Sequence, residues 1–223
     1  MKTALVALAL LPLAAHAVDF EVAVGPTQFT DRGNGFWYQK GPDLPYSLDL
    51  RSTGLQLGAA GAITDWLDWH AGYTYLGRAK SDAIATPDDG NYDLANQRCR
   101  GECLAYTRFR GSGDVQGIYL TLEPHVDWKG WRLGVSAGPF LYVARWKVDI
   151  DGWKAAPGAP DQSFTVSHRP KLNLGAVIGV SIGRGPISIQ YQRFFDLPRS
   201  DELNGDFPAI WRRTDMLSVR YRF

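Results

Sequence analysis

The 223-residue chain is short of several things, and each shortage removes a class of protein. No internal stretch reaches the ~20 consecutive apolar residues that a membrane-spanning helix requires. Met occurs twice among 24 Gly, 10 Tyr, 10 Phe and 8 Trp, which is the composition of a barrel or sandwich rather than a helical bundle. Net charge is nearly absent. Without Lys2 the remaining basic and acidic residues number 23 each, so a global attraction to nucleic acid is not supported. Cysteine is confined to Cys99 and Cys103, too few ligands for a metal site of their own.

What is present begins with "MKTALVALALLPLAAHA". One cation at Lys2, an apolar run from Ala4 to Ala15, and the small-x-small ending Ala15-His16-Ala17 predict a secretory signal peptide over 1–17. The mature chain is then 18–223, long enough for one domain. Export places Cys99 and Cys103 in an oxidising compartment, where they are expected to form a disulfide.

Hydrophobicity then recurs with a period of two, the signature of half-buried strands. Leu55, Leu57, Ala59, Gly61 and Ile63 share one face. So do Ile118, Leu120, Leu122 and Pro124, and so do Leu172, Leu174, Ala176, Ile178, Val180 and Ile182. Between these lie Gly, Gln, Asn and Ser, small or polar residues suited to a narrow interior. The pattern D-W-x-x-W-x-x-G occurs twice, at 65–72 and 127–134, each time at a tight turn between two such segments. A third turn, Arg184-Gly185-Pro186, joins another pair. Eight strands are predicted near 19–26, 53–63, 67–75, 115–126, 131–141, 171–182, 187–194 and 213–223.

Tight turns alternate with long polar segments at 27–50, 77–112, 145–168 and 195–211. That alternation belongs to an antiparallel up-and-down transmembrane β-barrel with short periplasmic turns and long external loops. Trp66, Trp69, Trp128 and Trp131 flank the tight turns, where an interfacial aromatic belt is expected. Pro139 interrupts the fifth strand, and the apolar phase shifts after Val143 to Trp146, Val148 and Ile150. A bulge there, or an exit from the bilayer, would account for both.

The chain closes on Leu217, Val219, Tyr221 and Phe223, an alternating ending with an aromatic last residue. This ending resembles the C-terminal signal read by the bacterial barrel-assembly machinery. With eight strands and a signal peptide, the sequence resembles the small outer-membrane proteins of the OmpA, OmpX and OmpW type, barrel domain only. The resemblance implies an outer-membrane location and contact with lipid and lipopolysaccharide.

Inward charges gather at the turn end. Glu21, Glu123, His125, Arg132, Arg220 and Arg222 are the candidate lumen network, read either as a gated polar pore or as ion pairs filling the interior. Glu21 is expected beside Arg220 or Arg222, because the first and last strands must pair. Toward the other end lie Arg108, Arg110, Arg145, Lys147, Arg169, Arg193, Arg212 and Arg213, cations suited to lipopolysaccharide phosphates. No motif for cofactor, metal or catalysis is found. Ser167 and His168 lie near the outer rim, where some small barrels modify lipid A, but adjacent strand residues face opposite ways and cannot easily form a nucleophile–base pair. The expected role is therefore non-enzymatic and structural, or surface interaction through external loops. A narrow channel for small or hydrophobic solutes is the alternative, and a lipid A-modifying enzyme the remote one.

Overall fold

The computed structural model describes residues 18–30, 46–84, 92–93, 98–99, 107–153, 160–168, 172–197 and 211–223. The expected signal peptide, Arg169, Cys103 and the side chain of Cys99 lie outside the described residues. Eight staves form the wall. They are β1 (Asp19–Phe29); β2 (Tyr46–Asp49) continued by β3 (Arg51–Thr64); β4 (Leu67–Ile84); β7 (Arg108–Trp128); β8 (Trp131–Trp153); β9 (Gln162–His168) continued by β10 (Leu172–Arg184); β11 (Ile187–Asp196); and β12 (Arg213–Arg222). The short β5 (Tyr92–Asp93) and β6 (Arg98–Cys99) pair with each other apart from the wall.

Every stave pairs antiparallel with its chain neighbour, and β12 pairs with β1 to close the ring. The last residue takes part, since Phe223 N donates to Phe20 O at 2.8 Å. Following register partners once around from Asp19, through Ala60, His70, Thr121, Gly138, Val177, Phe194 and Thr214, returns to β1 at Phe29, ten residues on. Eight strands with that stagger tilt by roughly 35–45° and enclose an interior that side chains can fill.

The outward face carries the apolar belt. Phe20, Val24, Leu57, Ile118, Leu122, Val135, Ile178, Val180, Ile189, Leu217, Val219 and Phe223 are all exposed. A contiguous apolar surface of this kind is untenable in water and is what a bilayer covers. On β10 it runs from Leu172 to Ile182, which at ~3.3 Å per residue and this tilt is about 24 Å of height, close to the ~25 Å band of transmembrane barrels. Trp66, Trp128 and Trp131 stand exposed at its lower edge, with Lys129 over Trp128 and the Arg184 guanidinium 5.9 Å from the Trp131 ring. Trp69 differs from these three in exposure. It is half-buried and lies over Gly61, so close that a Cβ there would sit 2.7 Å from its Nε1.

The staves outrun the predicted strands. β4 continues to Ile84, β7 begins at Arg108 and β8 extends to Trp153, so much of 77–112 and 145–168 is wall rather than loop. The physical reason is a reversal of polarity. Above the belt the inward residues are apolar (Val115, Trp146, Val148, Ile150) and the outward ones charged (Arg145, Lys147, Asp149), as in a barrel standing in water. The shift after Val143 is therefore an exit from the lipid, with alternation unbroken. No bulge occurs at Pro139: Tyr119 opposes Phe140 above it and Leu122 opposes Ala137 below it, so no residue is inserted. Among the described residues the register shifts elsewhere, between Ala62 and Thr64 on β3, between Ile150 and Trp153 on β8, and between Tyr75 and Arg78 on β4. Gly77 adopts φ 92° there, a backbone that side chains other than Gly rarely take.

Candidate functional site

Two chemistries divide the lumen. Inward positions of β1, β4, β7 and β12 near the tight turns carry charge, and the ring stagger brings them to one level. His70 lies at the centre. Its Nδ1 is 3.1 Å from Glu21 Oε2 and its Nε2 is 3.3 Å from Glu123 Oε2; the second is a close contact without hydrogen-bond alignment. Arg220 Nη1 lies 3.4 Å from Glu123 Oε2 and 3.9 Å from Glu21 Oε2, while its Nε donates to Ser188 Oγ at 3.0 Å. Ser181 Oγ donates to Glu123 Oε1 at 2.8 Å. All four groups are buried, His70 to 2% exposure. Two carboxylates thus share one guanidinium and one imidazole, compensation that buried charges require.

Below this level is a second cluster. Arg222 Nη1 and Arg132 Nη1 meet Asp68 Oδ2 at 3.2 and 3.3 Å, and Arg132 Nε lies 3.2 Å from Asp127 Oδ1. Arg222 faces Glu21 in register, yet its side chain turns to Asp68 and to Asp19 at 4.0 Å. Of the two expected partners for Glu21, Arg220 is the one in reach. His125 is buried beside this cluster with Nε2 unpartnered and Nδ1 3.4 Å from Glu123 O, outside the ion-pair network. Asp68 and His70 are network members that the sequence reading left out. The alternation with outward Leu67, Trp69 and Ala71 was the signal that could have found them.

Above, Gln56 bridges Gln190 and Gln192 by side-chain amide bonds of 2.8 and 2.9 Å. Then water-compatible groups give way to rings. Phe140 stacks with Tyr142 at 5.4 Å and meets Phe194 edge-on at 5.0 Å, while Tyr142 meets Trp211 at 4.5 Å. Phe29, Val177 and Met216 belong to the same apolar cluster, each buried to 1% exposure or less.

These features decide the architecture: a closed ring, a lipid-height apolar belt and an interior lined by buried side chains. The chain is an outer-membrane-type β-barrel. Among solved structures it is similar to Ail, the attachment invasion locus protein of Yersinia pestis, with a TM-score of 0.41 and 11% identity over 92% of this chain and 97% of that one. It is also similar to neisserial surface protein A, with a TM-score of 0.37 and 15% identity over 92% and 97%. No family model and no curated protein sequence matches the chain.

The outward cations mostly have carboxylate partners. Arg108 pairs with Asp82, Arg110 with Asp151, Lys147 with Asp149 at 3.4 Å, and Arg193 and Arg213 with Asp215 at 2.7 and 3.8 Å. The Asp149 carboxyl is held below the ordinary aspartate range by the Thr165 hydroxyl, with Lys147 and Arg110 adding to the effect against slight desolvation. Arg145 has no carboxylate within ion-pair distance among the described residues; it reaches the Gln116 amide oxygen at 2.9 Å once that amide is oriented to suit its neighbours. Arg212 is exposed at the head of β12. Ser167 opposes Lys147 on β8, and the side chain of His168 lies outside the described residues.

Proposed function

We propose that this chain is a non-enzymatic integral outer-membrane protein, exported by a cleaved 1–17 signal, whose barrel is a plugged anchor holding its external segments at the cell surface. The observation that supports this reading is the lumen filling. An ion-pair network occupies the turn end of the lumen, and the Phe140–Tyr142–Phe194–Trp211 cluster packs at the level above it. Each large buried aliphatic or aromatic side chain there is worth roughly 1.5–3 kcal/mol of burial, so opening a path would expose several at once. Assembly would use the Leu217–Val219–Tyr221–Phe223 ending, whose outward apolar face is the surface available to the barrel-assembly machinery. No cofactor or metal is part of this function.

Reconstitution into planar bilayers tests it. The expected result is silence at moderate voltage, with the protein present in its closed, heat-modifiable form. Steady single-channel steps from such protein would transfer the reading to a narrow channel.

A further inference from the structure

At the turn end of the barrel the wall is not level. Pairing of β1 with β3 stops at Asp19↔Ala60, whereas β3 runs on to Thr64, and its register against β4 shifts between Ala62 and Thr64. A crevice of about 630 Å³ opens at that step, lined by Asp19, Asp65, Asp68 and His125, with Ala62 and Ile63 as its apolar part. The backbone holds His125 beside the Asp65-Trp66 turn, since its N–H donates to Trp66 O at 2.8 Å.

Polar atoms in this crevice are left over. The hydrogen bonds from Arg132 and Arg222 to Asp68 all fall on Oδ2, which leaves Oδ1 free among the described residues. Asp65 has no hydrogen-bond or ion-pair partner among them. His125 is 5% exposed, and its Nε2 is buried without a partner. Its Nδ1 lies 3.4 Å from Glu123 O, and a carbonyl only accepts, so the ring proton sits on Nδ1 and Nε2 presents a lone pair. A buried acceptor of this kind calls for a donor.

Charge points the same way. Histidines aside, Asp19, Glu21, Asp65, Asp68, Glu123 and Asp127 gather at this end of the lumen against Arg132, Arg220 and Arg222. Cleavage after Ala17 would add one ammonium at Val18, and two negative charges would still be uncompensated. Lys129 and Arg184 do not offset them, because their charges lie over the Trp128 and Trp131 rings on the outer face.

We infer that the crevice binds a short aliphatic diamine from the periplasmic side. One ammonium sits between His125 Nε2 and Asp68 Oδ1, the other on Asp65 at the rim, and the methylenes lie against Ala62 and Ile63. An ammonium carries three donors and can serve an imidazole and a carboxylate together. A bare divalent metal is a poorer match, because no three His, Cys, Asp or Glu side chains converge on one point among the described residues. The inference rests on the barrel orientation proposed above.

Isothermal titration of the full chain, refolded in an uncharged detergent, with putrescine tests it. Wild type is expected to bind, and butylamine to bind clearly more weakly. Asp65→Asn should weaken putrescine about three-fold, the share of one exposed ion pair. His125→Leu should weaken it about ten-fold or more, because a buried acceptor for a charged donor is lost. Magnesium chloride at matched ionic strength should not displace the diamine. Absence of binding to wild type, equal affinity for putrescine and butylamine, wild-type affinity in Asp65→Asn, or displacement by magnesium would each overturn the inference. Asp65 is exposed and partnerless, so its variant keeps the test decisive even where His125→Leu does not refold. A wild type without heat-modifiable migration would overturn the barrel reading and this site with it.

Discussion

Removing Arg220 should be among the costliest single changes in the barrel, and the structure says why. Arg220 and Arg132 make ion pairs of nearly equal length, 3.4 Å to Glu123 and 3.2 Å to Asp127. At a fixed dielectric they would be worth about the same. Burial separates them. The side chains of Arg220 and Glu123 are 9% and 3% exposed, those of Arg132 and Asp127 40% and 57%. Arg220→Gln leaves Glu21 and Glu123 sharing His70 alone and should cost ~3–5 kcal/mol, a large part of the ~5–15 kcal/mol that holds a typical domain folded. Arg132→Gln should cost ~0–1 kcal/mol, because Asp68 keeps Arg222. Adding Glu123→Gln to Arg220→Gln removes one of the two carboxylates left sharing His70, so the double variant should lose clearly less than the two single losses added together. Urea unfolding in lipid vesicles, followed by Trp fluorescence and by the folded fraction on unboiled gels, measures all four. Equal costs for Arg220→Gln and Arg132→Gln, or strict additivity with Glu123→Gln, would refute the reasoning and mean that water fills the lower lumen.

Other outcomes follow from other parts of the wall. Asp149 has a depressed carboxyl in the folded protein, so its support of the β8–β9 extension is present above the ordinary value of 3.8 and lost as pH falls through the lower folded value. Protease access to β9 should therefore rise in acid, and less so in Asp149→Asn; identical acid profiles would contradict the Thr165 contact. Gly77→Ala should destabilise by about 1–3 kcal/mol, since φ is 92° and a Cβ would sit 2.3 Å from Ser52 Oγ; unchanged urea unfolding would show that the β4 bulge can relax. Cys99 and Cys103, proposed to be bridged, should resist thiol labelling in native unreduced protein, and stoichiometric labelling would rule the bridge out.

The outward face was legible in the sequence because lipid imposes one simple demand, apolarity on alternate residues at a fixed height. Leu172 to Ile182 and Leu217 to Phe223 obey it without exception, and short turns such as Lys129-Gly130, with φ of 51° and 79°, fix where each hairpin reverses. Sequence alone therefore determined the fold class and the sense of alternation, while Asp68 and His70 among the inward groups were passed over. Periodicity reports the side a residue faces, but not its height or its neighbours across the ring. His70 and Arg220 are 150 residues apart, and only the accumulated stagger of eight staves brings them within 3.2 Å. The same stagger turns Arg222 from Glu21, its register partner, to Asp68, and aligns Arg51 with Asp215 across β1. Nor could period-two reasoning tell a loop from a wall that has left the membrane, because above Val143 lipid no longer selects the outward face and Trp146, Val148 and Ile150 fill the interior instead. Alternation is local chemistry, whereas the meeting of distant charges is a property of the closed ring.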